Sequence, residues 1–496
     1  VTASARPGPG AVAAQVARRH TADATGFGAS LFVLALAPRL AAALALAGEP
    51  VWDGHYYDFG ARRIAAGLGY SDDRTAPDGR LIWHPWCHYP VGYSGMLGLV
   101  YRLLGPSHQA AAVANAVIGA ALAAVTWALA RRALSERRAR IAGLIVALHP
   151  GLILYAALLM TEPLAALLTL LAFWLAVRDD RPRRGLVVGA LVLGVAALVR
   201  PQALLCAPFL GACTTSSGAD WRARLTGAVA ACALALVPVL PWTVRNCRVM
   251  DGCALVSTNA GWNLAIGAFP RATGRFETLR SSDGCRDVTG QVQQDRCWLQ
   301  YGEQQILADP LRWLSLVPKK LGFTFDHESF AVEYLHEARP EAWPEDRRAS
   351  ARAATTGAHR VLLAAAALGG VAFPAARRRP RGPGSRVQAV LLAIVAAVGA
   401  LAFVGDSPAF WPLAVLAAAI PCLPLAGRPP LPGALLLGVA LLATTIVTHA
   451  VFFGEDRYHV VVTPVLAMLA AAALRPSFAR SPAPSIPPSR DTVAAA

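Results

Sequence analysis

One carboxylate and a set of arginines draw attention by where they fall. Asp53 sits beside Trp52, where an apolar run ending near residue 47 gives way to a long polar stretch. Arg200 closes another apolar run and is followed by Pro201. Arg245 and Asn246 follow a third run, Glu162 lies at a turn between two more, and Arg457, Tyr458 and His459 precede the last. A positioned carboxylate takes a proton from a hydroxyl. The planar fork of Arg binds phosphate oxygens in pairs. Together these groups suit attack by a hydroxyl on a centre whose leaving group is a phosphate. Plainer readings stand beside this one. Asp is a preferred helix N-cap, and Asp53 opens the helix-like run DGHYYDFGARRIAAGLGY, which stops at Gly67 and Gly69. An Arg at the end of a span snorkels to the head groups. Snorkelling accounts for any one of these arginines. It accounts less well for acids and bases gathered at one set of helix ends while clusters of Arg alone mark the other.

The same polar stretch supplies Asp58 as a second acid, with Tyr57, His84 and Tyr89 as substrate-binding candidates. His84 and His88 are four apart, but Pro85 lies between them and breaks a regular helix, so no metal ligands are assigned. There is no Walker pattern, no G-x-G-x-x-G after a strand and no H-E-x-x-H. No cofactor is assigned, and metal dependence stays open. Cys247, Cys253, Cys285 and Cys297 fall in one later polar stretch. Four cysteines allow three connectivities; proximity favours Cys247 with Cys253 and Cys285 with Cys297 in an oxidising compartment.

The elements that must position these residues are membrane helices. The chain has 496 residues, 55% hydrophobic and 15% charged, against roughly 25% charged in a soluble chain. Its net charge of +16 lies in short Arg clusters between apolar runs rather than in one patch, which excludes a nucleic-acid partner. The reading is an all-α polytopic protein of about twelve spans, at 28–47, 110–130, 141–158, 164–177, 185–199, 204–213, 225–242, 358–373, 387–404, 409–425, 435–453 and 460–474. The Arg clusters orient it, with both termini in the cytoplasm and the site on the other face of a bacterial inner (cell) membrane. Two large outer loops, 48–108 and 243–355, carry interfacial helices, one of them at 91–105. Residues 1–27 are expected as a cytoplasmic tail without a cleavable signal, and 475–496 as a disordered one.

Several stretches together resemble a known class. They are WDGHYYDFGARRIAAGLGY, HYPVGYSGMLGLVYRLLGPS, MTEPLAALLTLLAFWL, ALVRPQALLCAP, PWTVRNCRV with STNAGWNLAIGAFPRATG, and FGEDRYHVVVTPVLAMLAA. The chain resembles the GT-C glycosyltransferases, and within them the family 39 type of protein O-mannosyltransferases and lipid A aminoarabinose transferases. The resemblance covers about residues 28–474 and implies the GT-C fold. It implies a polyprenyl-phosphate sugar donor in the bilayer, an acceptor hydroxyl on a lipid, glycan or protein, and a general base in the first outer loop, at Asp53. The acid that often follows that base is Gly54 here, which leaves Asp58 as its substitute. The basic residue facing the lipid phosphate maps to Arg200, and Glu162, Arg245 and Arg457 match further motif positions. The alternative is a lipid-linked-sugar flippase or other transporter, whose polar residues belong near the bilayer midplane.

Overall fold

Lipid offers no partner for backbone N–H and C=O groups, and this chain meets that demand with helices. The computed structural model describes residues 9–72, 77–80, 83–178, 182–214, 220–278, 280–372, 383–404, 408–423 and 431–474. Among them the only strand-like pairings are two isolated bridges, Ser71 to Pro85 and Arg275 to Gly454. The expected tail 475–496 lies outside the described residues. The first helix begins at Pro9, inside the stretch expected as an N-terminal tail.

Four helices are long and apolar enough to cross a membrane: Gly26–Leu46, His108–Ala130, Pro182–Val199 and Gly433–Val451. Two bent pairs bring the number to six when each counts as one span. Pro201–Thr214, Arg386–Ala402, Trp411–Cys422 and Thr463–Ala473 are apolar but shorter. The chain is an integral membrane protein, and two of the expected spans, 141–158 and 225–242, are broken by a bend. Proline drives the preceding residue out of the helical region, so His149, at ψ 121°, ends one helix before Pro150. Glu136–Leu148 and Pro150–Ala157 then meet at 53°. The break strips the last carbonyls of their helical donors. Arg39 of the first helix takes them, donating to Ala147 O at 2.6 Å and Val146 O at 2.8 Å. Around Pro238 the chain bends by 51° between Trp221–Leu236 and Leu240–Val249, which carries that helix past residue 242.

The first of the two long loops folds as a pair of packed helices, Asp53–Ala65 and Val91–Leu104. The second holds Ala260–Ala268, Gln291–Ala308, Val317–Phe325 and Phe330–Ala338. Disulfides join Cys247 to Cys253 and Cys285 to Cys297. Helix N-termini leave N–H groups unpaired, and here carboxylates from distant segments take them. Asp295 accepts from Gly261 and Trp262, Asp251 from Val292 and Gln293, Asp326 from Phe410 and Trp411, and Asp456 from Ser329 and Phe330. Each cap ties one helix start to a remote part of the chain.

Candidate active site

A cavity of about 370 Å³ opens where the two long loops meet the helix ends. The first loop contributes Asp53, Tyr57, His88 and Tyr89; the second contributes Trp262, Asn263 and Phe276. Thr161, Glu162, Arg200 and Gln202 come from the helix ends between, and Arg457 and Tyr458 from the turn before the last helix.

Asp53 is the first residue of its helix rather than its cap. Trp52 precedes it with φ 49°, the one non-glycine positive φ among the described residues. Such a backbone costs on the order of 1–3 kcal/mol and persists only when its surroundings enforce it. The Trp52 ring is held by Phe330 and Tyr334, at centroid distances of 5.4 and 5.8 Å. Both oxygens of the Asp53 carboxylate are engaged. Tyr89 OH donates to Oδ1 at 2.7 Å and an Arg457 Nη donates to Oδ2 at 2.5 Å. Burial pushes the Asp53 pKa up, but the Arg457 guanidinium and the Tyr89 hydroxyl outweigh it and hold it below the ordinary value. Arg457 also pairs with Glu455 at 2.6 Å. Glu455 itself is raised, mainly by burial. His88 is pushed down to about 4 by burial, against the pull of Asp53. It therefore stands neutral in the cavity wall at physiological pH.

Gly54 has a structural reason. A Cβ there would fall 2.2 Å from Tyr334 Oη and 3.1 Å from Leu159 O. No second carboxylate fits next to Asp53 while Tyr334 stands in that space.

Beside the Tyr458 ring, an Arg200 Nη donates to Glu162 Oε1 at 2.5 Å and to Thr161 Oγ1 at 3.2 Å. Glu162 is fully buried. The Tyr458 ring lies between the two arginines, 5.3 Å from the Arg200 guanidinium and 5.1 Å from that of Arg457. The wall thus carries two guanidinium groups, each neutralised in part by a carboxylate.

Five candidates from the sequence lie outside the cavity lining. Asp58 is five residues after Asp53, about 140° further round the helix; it binds Arg62 at 2.6 Å and accepts from Tyr101 OH. His84 pairs with Asp72 at 2.7 Å. Arg245 spends its donors on the carbonyls of Tyr70 and Trp86, stitching the first loop to the end of its own helix. Asn246 is buried and binds Ala254 O and Val256 O. His459 is two residues beyond Arg457 in a 3₁₀ turn, about 240° round, and is buried facing away. In the other direction, His88, Gln202, Trp262 and Asn263 line the cavity although the sequence reading did not count them as site residues. The sequence signal for His88 and Gln202 is proximity to Tyr89 and Arg200, and Trp262 and Asn263 fall inside the stretch STNAGWNLAIGAFPRATG.

Residues 88–244 match the family of dolichyl-phosphate-mannose-protein mannosyltransferases. This match supports membership of the GT-C class of membrane glycosyltransferases. It covers about a third of the chain and holds His88, Tyr89, Glu162 and Arg200. No curated protein matches the sequence. Among solved structures, the chain is similar to the oligosaccharyltransferase AglB from Archaeoglobus fulgidus, solved with an inhibitory peptide and a dolichol-phosphate, at 13% identity and TM-score 0.40 over 90% of this chain and 50% of that one. It is also similar to ArnT from Cupriavidus metallidurans bound to undecaprenyl phosphate, at 16% identity and TM-score 0.36 over 90% of this chain and 78% of that one. The chain thus spans about half the length of the archaeal enzyme.

Proposed function

We propose that the protein moves a sugar from a polyprenyl-phosphate donor to an acceptor hydroxyl on the extracytoplasmic face, with Asp53 as general base. The observation that carries this reading is the juxtaposition of the Asp53–Arg457 pair and the Arg200–Glu162 pair on one cavity wall. A phosphodiester donor already holds a good leaving group. The protein then has two tasks: to remove the acceptor proton and to receive the phosphate charge. The acceptor oxygen bonds to the anomeric carbon as that carbon's bond to the phosphate oxygen breaks. The bonding pair leaves with the lipid phosphate, which gains one negative charge, and the acceptor proton passes to Asp53. Direct displacement inverts the anomeric centre.

The resting ion pairs give this scheme an order of events. With Arg457 bound to it, Asp53 is a weak base. A donor phosphate competes for Arg457, and loss of that counter-ion raises the basicity of Asp53 in the low-dielectric site. Donor binding then arms the base. Arg200 turns from Glu162 to the phosphate in the same way.

The test is a membrane assay with a panel of radiolabelled polyprenyl-phosphate sugars, comparing the wild type with Asp53→Asn. Transfer of label by the wild type and its loss in the variant, with donor binding retained, supports the reading. Movement of label across the membrane without transfer points to the transporter alternative.

A further inference from the structure

Behind the Arg457 turn, four ionisable side chains from four separate stretches meet in the interior. Glu328 precedes the helix Phe330–Ala338, His359 lies in Glu345–Ala372, and His459 lies in the turn Asp456–Val461. His149 stands at the Pro150 break. Their exposures are 2, 0, 0 and 4%. None of the four lines the cavity.

The distances converge on one carboxylate. His459 Nε2 is 3.0 Å and His359 Nδ1 is 3.9 Å from Glu328 Oε2, and His149 Nδ1 is 3.8 Å from Oε1. The far side of two rings decides their protons. His359 Nε2 is 2.9 Å from Phe325 O, and His459 Nδ1 is 2.7 Å from Thr324 O. A carbonyl oxygen only accepts, so those nitrogens carry N–H. In the neutral rings the nitrogens turned to Glu328 are therefore bare lone pairs. Lone pairs facing a buried carboxylate need a cation between them.

A proton on His459 serves one contact only. It leaves His359 Nδ1, both nitrogens of His149 and Glu328 Oε1 buried without a hydrogen-bond partner. Each such atom has given up its water without a replacement partner, which is destabilising. A second proton, on His359, sets two imidazolium rings face to face, because the His359 and His459 rings stack at 3.8 Å. A divalent ion takes one lone pair from each of the four side chains at once. The ligand atoms of Glu328, His359 and His459 lie within 4.8 Å of one another. Tetrahedral zinc with bonds near 2.0–2.1 Å sets its ligands roughly 3.3 Å apart, so binding draws the three side chains together. Carbonyls behind both rings are the usual orienting partners of metal-bound histidine.

We propose that Glu328, His359 and His459, with His149 as fourth ligand, form a binding site for one divalent transition-metal ion, zinc by the chemistry of the donor set. Closed four-ligand sites of this kind hold structure rather than do chemistry. Two residues along from His459 is Arg457, and Asp456 of the same turn accepts from Ser329 and Phe330. The ion pins the turn that presents Arg457 to the end of the second outer loop, to the long helix Glu345–Ala372 and to the His149 break.

The experiment uses the full chain purified in detergent with zinc in the growth medium, gel-filtered, and assayed for metal by mass spectrometry. The wild type is expected to hold about one zinc per chain, to lose it to 1,10-phenanthroline with a fall in melting temperature, and to recover both on zinc addition. Glu328→Gln and His359→Gln should lose the metal, and Asp53→Asn should keep it. Should the two cluster variants fail to fold, zinc absorption spectroscopy of the wild type decides, with imidazole nitrogen and carboxylate oxygen ligands expected. A wild type without bound transition metal overturns the proposal. So do cluster variants that retain full metal, an Asp53→Asn variant that loses it, or a spectrum showing sulfur ligands.

Discussion

At the scale of single residues, the structure separates the two acids that the sequence offers as base and substitute. Asp53 faces the cavity with Tyr89 and Arg457; Asp58 is spent on Tyr101 and Arg62. Asp53→Asn is expected to lower transfer by about 10²–10⁴, the usual worth of a general base, with donor binding retained or tightened in a filter assay, since Arg457 is released. Asp58→Asn should lower the melting temperature and leave turnover per folded molecule near normal. The reverse pattern would move the base to Asp58. Arg200→Ala should raise the donor KM and cut transfer, while Arg200→Lys should restore part of it, keeping the charge but not the fork. Normal donor kinetics in the Ala variant would reduce Arg200 to a partner of Glu162. Asp53, Glu162, Arg200 and Arg457 were legible in the sequence because ionisable groups at the ends of apolar runs are costly unless used. The side on which a residue points was not. Asp58 and His459 belong to the right elements at the wrong helical phase, and Arg245 sits at a loop end that needs its carbonyls tied. The His149, Glu328, His359 and His459 cluster has no motif spacing at all, since its members are brought together only by packing.

At the scale of elements, the helix starts depend on borrowed carboxylates. Asp295 caps Ala260–Ala268, the helix that carries Trp262 and Asn263 into the cavity wall. Burial raises its pKa to about 6, against the pull of the Trp262 and Gly261 N–H groups. The sign follows from linkage: a carboxyl raised on folding adds stability that is present below its unfolded pKa and is lost as pH rises through the folded one. Stability from this group should therefore fall between about pH 4 and 6. Asp295→Asn keeps an accepting oxygen for both N–H groups and should flatten that part of the melting profile. Asp295→Ala loses the cap and should cost about 0.5–2 kcal/mol, read from chemical or thermal melts. An Asn variant with an unchanged pH profile would assign the titration elsewhere. Such caps were illegible because sequence reading looks for them next to the helix they serve. Asp295 is 33 residues from Trp262. The helix breaks at Pro150 and Pro238 were, by contrast, written in plain view. A count by apolar length alone runs through them, which is why 141–158 and 225–242 each read as one straight span.

At the scale of the whole molecule, residues of the two outer loops line one cavity. Cysteines introduced near Asp78 and near Arg286 should both react with an impermeant reagent in intact cells, after which the native disulfide pairs remain intact in peptide maps. Labelling of one position without the other would contradict the shared wall. The contact between Asp53 and Arg457 closes across 404 residues of chain, and this sets a timetable for synthesis. Asp53 leaves the ribosome 404 residues before Arg457. Until then the carboxylate lacks this counter-ion, and an unpaired charge resists burial. The first loop is therefore expected to wait in water while the helices between the two residues insert. The site forms only once the Arg457 turn swings in and lets that loop fold down.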